Sequence, residues 1–326
     1  MRAAWCPAWG PPDVVGLEER PSPALADGQV RVAVSAAAVN FPDVLLVAGE
    51  YQVKVPPPFV PGSEFAGTVV EVADDVSTPV AGDRVFGTGL VGAFAEEVVV
   101  AAGAVTPIPD GVAEADAAAF GVAHRTAWHT LRSVAGVRPG DEVVVLGAGG
   151  GVGLAAVQLA AHLGATVTAV ASSPEKLAAA SAEGATHLVD HRAGDLRQAL
   201  RDALPDGADV VVDPVGGDLA EPALRSLHYG GRFVTVGFAS GTIPRVPLNL
   251  VLLKGSQIRA FEFLSFMVNQ PEDAARNEAE LLDLLAAGTA RPHVGARFPL
   301  DRAADALALV GGGGAVGKVV IDVAAA

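Results

Sequence analysis

The stretch VVVLGAGGGVGLAAVQLAAHLGATVTAVA, residues 143–171, constrains the fold of this chain more than any other. No Asp, Glu, Lys or Arg occurs from Val143 to Pro174, a length that could cross a bilayer, but the run holds six glycines, five of them from Gly147 to Gly153. Glycines in that density break a spanning helix, so the same residues read instead as strand, turn, helix and second strand. The turn has the spacing G-x-x-G-x-x-G, with Gly147, Gly150 and Gly153, rather than the strict G-x-G-x-x-G. A turn of this kind lets the backbone approach a pyrophosphate, and the helix start offers free N–H groups with partial positive charge. Gly150, Gly151 and Val152 are the candidate phosphate contacts.

The rest of the chain fits around that unit. DEVVVLG, ATVTAVA, HLVD, ADVVVD, GRFVTVG and QIRAFEF are short apolar runs separated by helical intervals such as PEKLAAASAEG and AGDLRQALRDAL. Six strands alternating with helices predict an α/β, doubly wound parallel sheet of the dinucleotide-binding kind. The first third differs: VRVAVSAAAV, GTVVEVA and AEEVVVAA are Val-rich and bounded by Gly, Pro and Asp, which is strand punctuation. After a helix at PEDAARNEAELLDLLAAG, the tail ends in FPL, DRAADALALV and GKVVIDV. The predicted organisation is a β-rich substrate domain, residues 1–119 and 264–326, around a dinucleotide-binding domain at 120–263. A chain of 326 residues accommodates two such domains.

The tip of the second strand informs on the cofactor. An acidic residue there would hold the ribose hydroxyls of NAD. The strand ends instead at Ala171, Ser172 and Ser173, with Lys176 close behind and His191 and Arg192 after the third strand. Small hydroxyls and basic groups suit a 2′-phosphate, so NADPH is the expected cofactor. The formal charge of −15, from 37 acidic and 22 basic side chains, argues against nucleic acid or an anionic membrane as partner. The single cysteine, Cys6, excludes an intrachain disulfide and a Cys-based zinc site, and suits a reducing cytoplasm.

The chain resembles the zinc-independent quinone oxidoreductases of the medium-chain dehydrogenase/reductase superfamily. The carrying stretches are AAAVNFPDVLLVAGEYQVKVPPPFVPGSEFAGTVVEV (36–72), HRTAWHTL (124–131), GAGGGVGLAAVQLA (147–160), DPVGG (213–217), GRFVTVGFASG (231–241), NLVLLKG (249–255) and GKVVI (317–321). The resemblance implies a GroES-like substrate domain built from both chain ends, a central Rossmann domain, a cleft between them, and a homodimer joined through the edge strand QIRAFEF. The zinc-dependent alcohol dehydrogenase cousins carry a cysteine in the segment that here reads VNFPDV and a histidine where this chain has Ser63, so no metal is expected. Glu64, retained from the cousins' motif, then reads as structural. Where the family often has a tyrosine after the third strand, this chain has His191.

Without a metal, hydride would pass from the nicotinamide to a conjugated acceptor polarised by hydrogen bonds. Tyr51 is similar in position to a tyrosine proposed as proton donor in related enoyl-thioester reductases; otherwise it is a core or rim aromatic. Asn40 matches the family's asparagine near the nicotinamide, or is a turn residue before Phe41-Pro42. Thr126 matches the threonine that bonds the carboxamide end of the cofactor. Val215, Gly237, Phe238 and Phe263 complete the expected cofactor contacts. Lys318 either reaches the cofactor or is a strand-edge lysine. Asp43 reads as a capping charge, and Asp213 as the shaper of the turn before Pro214. The expected activity is NADPH-dependent reduction of small-molecule quinones or other α,β-unsaturated carbonyls. An enoyl-thioester reductase and a non-catalytic NADPH-binding protein are the alternatives.

Overall fold

The computed structural model describes residues 1–323. Seven strands come first: β1 (Arg2–Trp5), β2 (Gly16–Glu19), β3 (Gln29–Val39), β4 (Glu64–Val72), β5 (Arg84–Thr88), β6 (Glu97–Ala101) and β7 (Val105–Pro107), with helix α1 (Phe41–Ala48) after β3. Helix α2 (Glu114–His129) ends in a π-helical turn at Thr130–Ala135, closed by Gly136 at φ +63°. Strict alternation follows: β8 (Glu142–Leu146), α3 (Gly151–His162), β9 (Thr166–Ala171), α4 (Pro174–Ala182), β10 (His187–Asp190), α5 (Leu196–Ala203), β11 (Ala208–Asp213), α6 (Ala220–Ser226), β12 (Leu227–Thr235), α7 (Leu248–Lys254) and β13 (Gln257–Ala260). Helices α8 (Phe263–Asn269) and α9 (Pro271–Ala286), strand β14 (Val294–Pro299), helix α10 (Ala303–Gly311) and strand β15 (Lys318–Asp322) finish the chain.

Two compact units emerge. The first comprises Met1–Val122 and the stretch from Pro292 onward. Its main sheet runs β14-β15-β3-β4-β5-β7, with β6 also paired to β3. β15 returns to the start of the chain by antiparallel pairing, Val319 opposite Val39 and Ile321 opposite Ala37. The alternation in VRVAVS buries Val30, Val32 and Val34 against Phe65, Phe94 and Leu307. That is the pattern of an antiparallel sheet with one face on the core.

The second unit, Ala123–Arg291, holds a six-stranded sheet in the order β10-β9-β8-β11-β12-β13. Every neighbouring pair is parallel. Val143, Val144 and Val145 of β8 are all fully buried, because a central parallel strand is covered on both faces. Strand order reverses between β8 and β11, which makes the ends of these two strands the topological switch point. Helix starts carry the chemistry that initiates them: Ser173 caps α4 with Pro174 at its first position, and Asp195 accepts N–H bonds from Arg197 and Gln198 at the start of α5.

The boundary near the C-terminus differs from the sequence expectation, which returned the chain to the first unit at residue 264; the second unit extends to Arg291. The cause is a polar joint between α9 and the end of α2. His129, 1% exposed, meets Glu278 Oε1 through Nε2 at 2.9 Å, and Asn277 Nδ2 donates to its Nδ1 at 3.1 Å. Arg125 donates to the same Glu278 oxygen at 2.7 Å, and Arg132 forks onto Glu280. The rings of Phe261, Phe263 and Phe266 lie within 5.9 Å of the His129 ring. None of these partners is adjacent in sequence, so periodicity could not announce them.

Burial raises the Glu278 carboxyl, but hydrogen bonds from His129 and Arg125 and their charges outweigh it and hold the group below its ordinary range. A depressed folded pKa gives stability that is present above the unfolded value of about 4.3 and lost as pH falls through the lower folded value. Urea unfolding of wild type and Glu278→Gln is expected to differ by a constant amount above about pH 5, the difference narrowing as pH falls from the unfolded value through the lower folded one. A difference independent of pH would refute this account of the joint.

Candidate functional site

The glycine turn follows β8 directly. Gly147 sits at φ +60°, a conformation open to glycine, and a Cβ there would lie 2.6 Å from Val215 Cγ2. Gly150 donates to Gly147 O at 3.0 Å and starts α3. A Cβ on Gly153 would fall 2.1 Å from Gly147 O, so the third glycine is demanded by the close approach of helix and strand end. The N–H groups of Gly151 and Val152 lie in the first turn of α3, where no preceding helical carbonyl accepts them. At the other side of the switch point, Asp213 Oδ1 accepts the N–H groups of Val215 and Gly216 at 2.9 and 2.7 Å, which shapes the turn after β11. Gly237 N–H donates to Asp213 O, and Ala239 N–H to Pro214 O, tying the loop after β12 to the same place. The Phe238 side chain joins an apolar pocket with Phe233, Ile243, Val246 and Ile258.

A basic group lies beside the turn. A Cβ on Gly149 would meet Lys176 Cβ, Cγ and Cδ at 2.4, 2.5 and 2.9 Å, so the lysine stem lies across the glycine turn rather than on a solvated helix face. Ser173 Oγ accepts the Lys176 N–H at 3.3 Å, which leaves its hydroxyl proton to donate elsewhere. His191 follows β10 and donates its N–H to Ala171 O at 3.1 Å, so it is held at the tip of β9 beside Ser172. Burial and the Arg192 charge lower the Lys176 ammonium, and the same two causes, with Lys176 added, lower the His191 imidazole. Beyond burial, the Arg192 charge acts on both Lys176 and His191, so basic groups gather at this strand tip, which suits an anion.

Thr126 is half-buried on α2. One residue earlier, the Arg125 guanidinium stands 4.7 Å over the Phe263 ring. Phe263 thus belongs to the aromatic cluster around His129.

In the first unit, five polar residues meet in the interior. Lys318, 4% exposed, places Nζ 2.6 Å from Glu64 Oε1, 2.6 Å from Asn40 Oδ1 and 3.3 Å from Val39 O. Glu64 also accepts the Val122 N–H at 2.6 Å. Asn40 Nδ2 donates to Ser63 Oγ at 3.3 Å, and the Asn40 N–H donates to Asp43 Oδ2 at 2.7 Å in a capping box at the start of α1. Burial pushes the fully buried Asp43 carboxyl up to about 7 against the pull of Asn40 and Ser63. Lys318 is therefore neither a strand-edge lysine nor aimed outward; it ties Asn40 to Glu64. Asn40 keeps its role as helix cap but has its amide oxygen taken. The three meet through strand pairing, which no local pattern announces: β3 lies between β4 and β15, and the ends carrying Asn40, Glu64 and Lys318 coincide. Tyr51 is half-buried against the core of this unit, and its N–H donates to Leu45 O at 3.1 Å. Among the described residues, no group of three or more His, Cys, Asp or Glu is arranged to hold a metal ion.

Comparison with known proteins agrees with this architecture. Residues 26–110 match the family described as alcohol dehydrogenase GroES-like domain, and residues 151–286 match that described as zinc-binding dehydrogenase. The chain is 38% identical to quinone oxidoreductase-like protein 2 of Bos taurus, over 98% of this chain and 92% of that one. It is also 38% identical to a segment of polyketide synthase GfsB of Streptomyces halstedii, over 92% of this chain but 5% of the synthase. Among solved structures, the quinone oxidoreductase of Escherichia coli complexed with NADPH superposes with a TM-score of 0.90 at 26% identity, over 99% of this chain and 100% of that one. The chain belongs to the medium-chain dehydrogenase/reductase superfamily, among its quinone oxidoreductase-like members.

Proposed function

We propose that the protein is a zinc-independent, NADPH-dependent reductase that transfers hydride to small quinones or other α,β-unsaturated carbonyls. One observation carries the reading: the Lys176 stem lies across the glycine turn, and the backbone bond to Ala171 O holds His191, with Arg192 next to it, at the tip of the adjacent strand. The turn fits a pyrophosphate, since glycine backbone and the first N–H groups of α3 form a cradle that any side chain would fill. The neighbouring cations and the Ser172 and Ser173 hydroxyls fit a 2′-phosphate, and Thr126, Val215, Gly237, Phe238 and Phe263 supply the remaining contacts. When bound, the cofactor supplies the hydride.

The chain's own residues bind, orient and donate protons. Lys318 holds the Asn40 amide oxygen, and the amide nitrogen donates to Ser63 Oγ and Ala38 O, so turning an N–H to an acceptor carbonyl would replace one of those two bonds. Tyr51 is the candidate proton donor. Zinc does not fit the interior of the first unit: the ammonium of Lys318 sits against Glu64, and Ser63 and Asn40 are neutral donors. The match to a segment of a polyketide synthase supports a second reading, an enoyl-thioester reductase. A homodimer is proposed through the edge of the second sheet. All four residues of β13 are exposed there, and so are Leu252 and Leu253 of α7, which precedes it in the chain, and Leu264 and Val268 of α8, which follows it, at 65–80%.

Three outcomes are expected. Equilibrium titration should give tighter binding of NADPH than of NADH, with Lys176→Ala weakening NADPH about tenfold and leaving NADH unchanged; a panel of quinones, enones and acyl thioesters then separates the two substrate readings. Binding without turnover of any of them would leave a non-catalytic NADPH-binding protein. Light scattering should give twice the chain mass, and Leu252→Glu with Ile258→Lys should give the single chain; a monomeric wild type refutes the dimer. Lys318→Met, which leaves Glu64 and Asn40 without their partner, should lower unfolding free energy by about 3 kcal/mol in urea titration, with part recovered on adding Glu64→Gln.

A further inference from the structure

We propose that His191 makes discrimination between NADPH and NADH depend on pH, its imidazolium joining Lys176 to hold the 2′-phosphate only once that phosphate has arrived. The inference rests on the NADPH reading above and adds a proton to it.

The position of His191 is set by the backbone. Its N–H bonds Ala171 O, the last residue of β9, which holds it beside Ser172 and Ser173. Three charged groups act on it: Arg192 and Asp190 flank it on its own segment, and Lys176 comes from α4, where Glu175 acts on that lysine. Asp190 is partly engaged, since its Oδ1 accepts the Arg192 N–H at 2.8 Å. Burial, Arg192 and Lys176 lower the imidazole below its ordinary value, with Asp190 opposing them. At neutral pH the free protein therefore carries a neutral His191.

A 2′-phosphate changes the sign of this field. It brings close to two negative charges into a group of cations, and an opposite charge within hydrogen-bonding range raises a histidine by about one unit or more. The imidazole then gains a proton as the ligand binds. A group whose pKa is higher in the complex strengthens binding fully below its free value and loses that contribution above its bound value. Affinity for NADPH should accordingly fall as pH rises through the span between the free and the bound value, by at most about tenfold for a one-unit shift. Affinity for NADH, which lacks the phosphate, should stay level. The phosphate's own second ionisation, near 6, works in the opposite direction, because binding among cations favours its dianion and releases protons. Net proton uptake must come from the protein.

The test is calorimetric titration of the whole protein at pH 7 with NADPH and NADH, in two buffers of different ionisation enthalpy, together with dissociation constants from pH 6 to 8. Proton uptake with NADPH but not with NADH, lost in His191→Gln while preference for NADPH persists through Lys176, is the expected result. NADPH still preferred, but with no proton uptake in wild type or with the same uptake in His191→Gln, overturns the inference and leaves the cofactor reading intact. No preference for NADPH at any pH overturns both. Because wild type compared across the two cofactors is itself decisive, a variant that fails to fold does not rescue the proposal.

Discussion

The second unit depends on one close approach. The first turn of α3 comes so near the end of β8 that a single methyl group on Gly153 would strike Gly147 O. From that contact follow the direction of α3, the exposure of the first N–H groups of the helix, and the room for Lys176 to lie over Gly149. The glycines contribute geometry rather than chemistry, and the chemistry arrives from the tips of neighbouring strands. Parallel pairing of β8 with β9, and of β9 with β10, brings Ser172, Lys176 and His191 to the same edge as the turn.

The interior of the first unit is organised by a different force. A carboxylate and an ammonium are buried together, and burial of either alone would be costly. Glu64 and Lys318 answer each other, and the spare donors of Lys318 fix the Asn40 amide. The price in desolvation is offset by a single defined arrangement of Asn40. The neighbouring Asp43 caps α1 at the same point, so the start of that helix and the orientation of the amide are one structure.

Much of this was legible in the sequence, and the reasons are specific. The six strands of the second sheet announced themselves because buried parallel strands are short, continuous apolar runs between helical intervals. The glycine turn was legible because backbone requirements leave few residue choices. The roles of Asp43 as a cap and Asp213 as a turn shaper were readable from local spacing, and the structure has both. Less legible were Lys176, whose stem packs on a turn 27 residues earlier in the chain, and α9, which joins α2 through His129, Glu278 and Asn277. Lys318 gave two readings in sequence, and its actual partners come from strands far away along the chain.

The amino-acid sequence by itself determined the kinds of element, their order, the phosphate-type turn and the charge character of the strand tips, because each depends on residues within one or two turns of chain. Only the tertiary structure decided which side chains face each other. The union of Asn40, Glu64 and Lys318 follows from the register of β15 and β4 on β3. The extent of the second unit follows from partly buried hydrogen bonds across about 150 residues of sequence. Such bonds are specified by packing and desolvation, quantities that belong to the folded chain and have no local pattern to reveal them.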